Sequence, residues 1–252
     1  MKNVLSIDFD FFVREDPMWD WGHSENQAVF NEVAWSMRYQ SLKLYEECNP
    51  ARYADFKPDC LIGALRACGM TFSDKIKVGI ADSHIHAYKF IKDEVGKCNV
   101  INFDAHHDMF DEGDELNCAN WAAMLRGEGI MDRYFWVKPK HISGNDYHEH
   151  KVKKWKVTSD FYQNYRLRKG LELKIDAVFF CRSSVWVPPH LDEKFEEMIM
   201  LFEKFVSFNE SNVKLYGKLP KREVITEAQA EEVYKTYQKI MQDLREKQTV
   251  TA

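Results

Sequence analysis

Val100-Ile101-Asn102-Phe103-Asp104-Ala105-His106-His107-Asp108 decides how this chain is read. The apolar lead marks a buried strand reaching its end. Asp104, His106 and Asp108 then alternate, and alternate side chains of an extended segment share one face. Two carboxylates and an imidazole aimed at one point are costly to bury unless something positive neutralises them. A divalent metal does so, and mixed oxygen and nitrogen ligands suit Mn or a similar ion better than a thiolate zinc site. Metal-dependent hydrolysis is the first chemistry to expect.

A second segment of the same kind opens the chain. Val4-Leu5-Ser6-Ile7-Asp8-Phe9-Asp10-Phe11-Phe12 reads as a strand, Val4 to Asp10, with Asp8 and Asp10 on one face. Two like charges on an apolar strand repel, which is tolerable beside a cation or in a water-filled cleft. An exposed strand with two acids on its polar face is the plainer alternative, and the Asp/His cluster of the first segment weighs against it.

The 252 residues, 45% hydrophobic and 14% aromatic, suffice for one large α/β domain with its own core. We expect a single domain over 1–252. A formal net charge of -5 and a pI of about 6.0 argue against a nucleic-acid binder. The basic run Lys151 to Lys156 reads as a solvated face or a contact for an acidic partner. The six cysteines, Cys48, Cys60, Cys68, Cys98, Cys118 and Cys181, include no CxxC pair. With no signal segment before Asp8, they are expected to be reduced, buried thiols of a cytoplasmic protein. No apolar run reaches membrane-spanning length.

Periodicity predicts helices over 26–48, 58–68, 84–95, 117–126 and 192–205, and a last one from Thr226, where Thr226 and Gln229 have capping-box spacing. Strands are predicted at 76–80, 99–103, 134–137 and 177–181 besides the first. This alternation implies an α/β three-layer sandwich around a mostly parallel sheet. In such sheets ligands bind beyond the carboxyl ends of the strands, where both acidic segments sit. Ala81-Asp82-Ser83-His84-Ile85-His86 also follows a strand end, and makes His84 a further ligand candidate. His86 and His107 are each expected either to shuttle protons or to face solvent.

These segments resemble motifs of the arginase/ureohydrolase superfamily. Asp104-Ala105-His106-His107-Asp108 is similar to its Asp-Ala-His-x-Asp motif, and Ser6-Ile7-Asp8-Phe9-Asp10 to its Ser-x-Asp-x-Asp motif. Asp82-Ser83-His84 is similar to the segment with its first metal-binding His. In ordinary arginases the Ser-x-Asp-x-Asp segment comes later, and the later strand here, Val178 to Ser184, has no acid. The order is permuted. With the pair Asn120-Trp121, it resembles an arginase-like family that includes peptide arginases, which convert arginine side chains of ribosomally made precursor peptides to ornithine.

The resemblance implies two Mn ions, with Asp8 and Asp104 bridging, His84 and Asp108 completing one, and His106 and Asp10 the other. It implies a Mn-activated hydroxide that attacks a guanidinium carbon and releases urea. Asp108 would orient the water and His86 would return a proton to the leaving amine. Asn120, Trp121 and Glu115 are substrate-binding candidates. Asp111, Glu112 and Glu115 are the nearest carboxylates for a guanidinium, or else a solvated acidic loop. Loop tryptophans Trp19, Trp21 and Trp186 would line a peptide groove or pack as core or lid. An arginine-containing precursor peptide is the expected partner, with a homo-oligomer left open. Alternatives are a small free guanidine as substrate, metal-dependent deacetylation, and a non-catalytic, metal-stabilised peptide-binding module.

Overall fold

Six apolar runs form strands: β1 (Lys2–Asp8), β2 (Met70–Ala81), β3 (Cys98–Phe103), β4 (Met131–Val137), β5 (Leu173–Cys181) and β6 (Val213–Tyr216). They belong to a computed structural model that describes residues 1–13, 28–42, 58–67, 69–110, 115–139, 173–206 and 208–250. The strands build one sheet, ordered β4-β3-β1-β5-β2-β6, with every pairing parallel. The central strands are nearly continuous in apolar residues because both faces are covered.

The strand period of two sorts side chains between two cores. On one face Leu5, Ile7, Ile101, Phe103, Val178 and Phe180 are buried. There they meet residues of four helices: α1 (Ala28–Leu42), α2 (Pro58–Ala67), α5 (Asp192–Val206) and α6 (Glu227–Val250). On the other face Val4, Val100, Ala177 and Phe179 meet α3 (Ile85–Phe90), its π-helical continuation Ile91–Val95, and α4 (Trp121–Gly127). Helix, sheet and helix make the expected three-layer α/β sandwich.

Gly79 of β2 lets the second face close. A Cβ there would stand 2.7 Å from Phe179 and 2.8 Å from Phe90, so only hydrogen fits between strand and helix. The π turn is explained by its end, where the Gly96 amide reaches back to the Ile91 carbonyl at 2.7 Å. The capping box forms as expected. Thr226 N–H donates to Gln229 Oε1 at 2.9 Å, and Gln229 N–H to Thr226 Oγ1 at 3.4 Å.

Three details differ from the periodic reading. The strand β6 was not expected; it is four residues long and pairs only with β2, too short for alternation to register. The first strand ends at Asp8, and Asp10 lies in a 3-10 turn, Phe9–Phe12, that Asp8 caps. Likewise β3 ends at Phe103, and Asp108 adopts a left-handed φ of 51°. The acids therefore converge by turning at the strand ends, not by alternating along extended chain. Pro17 to Gly22 (with Trp19 and Trp21), Asp111, Glu112 and the segments 141–168 and 151–156 lie outside the described residues.

Candidate metal centre

Ser6, Asp8 and Asn102 stand on the face of the sheet that carries α3 and α4. Parallel register places Ser6 beside Asn102 and Phe179, and Asp8 beside Cys181. Three loops complete the cluster: residues 82–84 beyond β2, 104–108 beyond β3, and 182–186 beyond β5. The site thus occupies the carboxyl ends of the four central strands, where an open parallel sheet exposes its ligand crevice.

His84 lies at its centre. Its Nδ1 is 3.1 Å from Asp8 Oδ2, 3.0 Å from Asp104 Oδ2 and 2.9 Å from Asp108 Oδ2. No hydrogen bond is aligned on that buried nitrogen. The other ring nitrogen, Nε2, is 2.7 Å from Ser6 Oγ. Nδ1 thus faces three carboxylate oxygens, an arrangement that a proton on the ring or a bound cation neutralises. A second group adjoins it. His106 Nδ1 is 3.0 Å from Asp10 Oδ2 and 3.7 Å from Asp104 Oδ1. Asp104 belongs to both groups. His84, Asp104 and Asp108 form one set and Asp10, Asp104 and His106 another, each with ligand atoms within 4.8 Å of one another. That spacing is of the order expected for atoms sharing one ion at about 2.0–2.2 Å. These groups can hold a metal ion.

The charge balance points the same way. Four buried carboxylates face two imidazoles. Burial pushes Asp108 up to about 8, and the Asp104 charge adds to it. Burial also raises Asp10 well above the usual carboxylate range, helped by Asp8 and Asp104. Burial alone would lower the His84 imidazole, but the surrounding carboxylates, Asp104 first, outweigh it and hold it well above its ordinary range. Burial opposes ionisation of Asp104 as well, yet His106 and His84 hold it well below the usual range. Without a bound cation, protons must supply the missing positive charge.

The ligands are held from behind. Asp8 Oδ2 accepts from Ser183 Oγ at 2.6 Å, and Asp8 Oδ1 from the Asp10 amide at 3.1 Å. Asp104 accepts from Asn102 Nδ2 at 2.8 Å, and Asn102 also donates to Tyr134 Oη. Asp108 accepts from Trp121 Nε1 at 2.5 Å. Ser183 has a left-handed φ of 53°, and α1 pins its turn: Trp35 Nε1 donates to the Ser184 carbonyl and Arg38 Nη1 to that of Val185. Two non-glycine residues in that strained region at one site mark a constraint worth keeping.

All six residues expected as ligands, Asp8, Asp10, His84, Asp104, His106 and Asp108, stand in this cluster. The other candidates fall elsewhere. Trp121 is fully buried and orients Asp108. Asn120 gives its side-chain amide to the loop, accepting from the Asn117 amide and donating to the Glu115 carbonyl. Glu115 is exposed, and its contact here is that carbonyl. His86 packs on Gly217, where a Cβ would stand 2.5 Å from Nε2, and Asp82 is its nearest charge; burial lowers its imidazole. No described contact joins His86 to the acid cluster. His107 does not face solvent: it is fully buried, accepts from the Met109 amide at 2.9 Å and packs on Phe110 and Trp136. Trp186 lies against His106, ring centroids 4.8 Å apart.

Reading from sequence missed Ser183 and Cys181, both from a strand end with no acid. Ser6 and Asn102 carried a usable signal, because each precedes a ligand by two residues on a strand.

No helix among the described residues is long and apolar enough to cross a membrane. No protein-family model matches this chain, and neither curated proteins nor solved structures give a match.

Proposed function

We propose that this protein is a Mn-dependent peptide arginase, hydrolysing arginine side chains of a ribosomally made precursor peptide to ornithine and urea. The observation that carries the reading is the convergence of Asp8, Asp104 and Asp108 on Nδ1 of His84, with Asp10 and His106 forming an adjoining group through Asp104. The resemblance of the three motifs to those of arginase-like enzymes selects guanidine hydrolysis from the reactions such a centre supports. Harder oxygen donors dominate the set, which suits Mn.

Asp8, Asp10, His84, Asp104, His106 and Asp108 would hold the metal, which when bound would lower the pKa of water. The chain's own residues do the rest. Asp104, which belongs to both groups, would be shared between the ions, and the family resemblance gives Asp8 the same role. Ser6 Oγ holds His84 Nε2, and Trp121 and Ser183 fix the planes of Asp108 and Asp8. Such outer hydrogen bonds raise ligand basicity and hold ligand geometry. In this reading Asp108 would accept a hydrogen bond from the attacking water and orient it. His106 is the most open ligand, with its side chain 26% exposed against 5% or less for the other five. Substrate would therefore approach past His106 and Trp186, which bars water from one side of the imidazole.

The deciding experiment offers Mn-loaded protein an arginine-containing peptide, free arginine and agmatine in separate reactions. Urea release is followed together with the mass of each product. Conversion of peptidyl arginine to ornithine supports the proposal. Urea from the free guanidines alone moves the substrate to a small molecule. Urea from none of them removes the arginase reading.

A further inference from the structure

We infer that Cys181 is a thiolate ligand of the ion held at His84, so that the two metal positions differ in chemistry and the His84 position favours a softer ion. The inference rests on the metal-centre reading above and adds a donor that no motif supplied. Cys181 ends β5 directly beside Asp8 of β1 and Ala81 of β2. By strand alternation it shares a face with Phe179, on which the His84 ring stacks at 5.9 Å with an interplanar angle of 3°. Its Sγ lies with an Asp8 carboxylate oxygen and a His84 nitrogen, all within 4.8 Å of one another.

The second observation is His84 itself. Its side chain is 2% exposed, and Nδ1 has no aligned hydrogen bond while facing the cluster. The thiol also lies 3.7 Å from the Asp82 carbonyl and 3.5 Å from Ser183 Oγ. Ligation exchanges the thiol proton for the ion, and the proton leaves to solvent. Among the described residues, the neighbouring position, with Asp10, Asp104 and His106, has oxygen and nitrogen donors. Soft thiolate selects Zn or Co-like ions, and oxygen donors select Mn or Mg. Cys98 makes the contrast. It is also buried, but it pairs with Lys2 at the opposite end of the sheet, and burial pushes its thiol up to about 12.

The test is X-ray absorption at the zinc edge on full-length protein loaded with one equivalent of Zn. A sulfur shell at about 2.3 Å is expected in the wild type and in Cys118→Ser. It should vanish in Cys181→Ser, leaving only oxygen and nitrogen at about 2.0–2.2 Å. Cys181→Ala replaces the serine variant if that one does not fold. Wild-type protein that binds Zn with no sulfur shell, or a shell that survives both substitutions, overturns the inference and leaves the metal centre standing. Protein that binds no divalent ion at all overturns both.

Discussion

Two clusters of charge, one part-buried and one buried, stand at the strand ends, and they are built on opposite plans. Beyond β2 and β5, Arg182 Nε donates to Asp82 at 2.6 Å and Arg182 Nη1 to Asp192 at 3.0 Å. Arg222 also donates to both oxygens of Asp192, and to the Ser184 and Val187 carbonyls. Ser184 Oγ completes Asp82 at 2.7 Å. Two carboxylates meet two guanidiniums, so the formal charges balance inside the chain. The cluster around His84 gathers four carboxylates and two imidazoles, and its formal charges do not. Buried ionic groups persist only when paired. The first cluster is therefore scaffold that braces the 182–192 loop, and the second is a group of residues that can hold a metal ion.

The comparison breaks most visibly at Asp104, which both metal groups share. Asp104→Asn should lower peptide-arginine hydrolysis by about a thousandfold or more, since metal ions contribute several kcal/mol to the transition state. Bound metal should fall with it in elemental analysis. Unchanged urea production in this variant would place the reaction elsewhere. In the balanced cluster, Asp192→Ala takes its carboxylate from Arg222 and leaves Arg182 with Asp82, and should cost about 3 kcal/mol in a urea melt. Its metal content should stay that of the wild type. Loss of metal there would mean the two clusters are not separable.

The balanced cluster also predicts a pH effect. Burial, with the Arg222 charge beside it, pushes His190 down to about 4 from an ordinary 6.5. The unfolded chain therefore binds the extra proton between those values, so this contribution is present above about 6.5 and is lost as the pH falls towards 4. It amounts to about 3 kcal/mol at full strength. Wild-type protein should lose that much more than His190→Gln across the window, in melts performed with saturating divalent ion. Parallel curves for the two proteins would remove His190 as the cause. The smallest effect sharpens the other side. Ser6→Ala frees His84 Nε2 and should weaken metal binding or turnover about tenfold, with little change in the metal-free melt. A large metal-free destabilisation would make Ser6 a packing residue first.

Much of this was legible before any coordinates. Asp8, Asp104 and His84 each follow an apolar run, so their position at strand ends is a local property of the chain. Asp10 and Asp108 were identified for the wrong local reason. The alternation invoked for them ends with the strands, and a 3-10 turn and a left-handed residue do the work instead. Trp121 shows the limit from another side. Its place after the central motif suggested substrate contact, whereas its buried indole is the donor that orients Asp108.

The chain by itself determined the alternation of helix and strand, the parallel sheet and the six acidic and imidazole residues, because hydrophobic period and residue chemistry act over a few neighbours. Tertiary structure alone decided that Asp8 lies beside Cys181, that Ser183 and Ser6 hold ligands remote in sequence, and that Arg182 and Arg222 neutralise Asp82 and Asp192. Strand order sets those neighbours. It depends on which faces can be buried together, a free energy summed over the whole sheet that no short stretch carries.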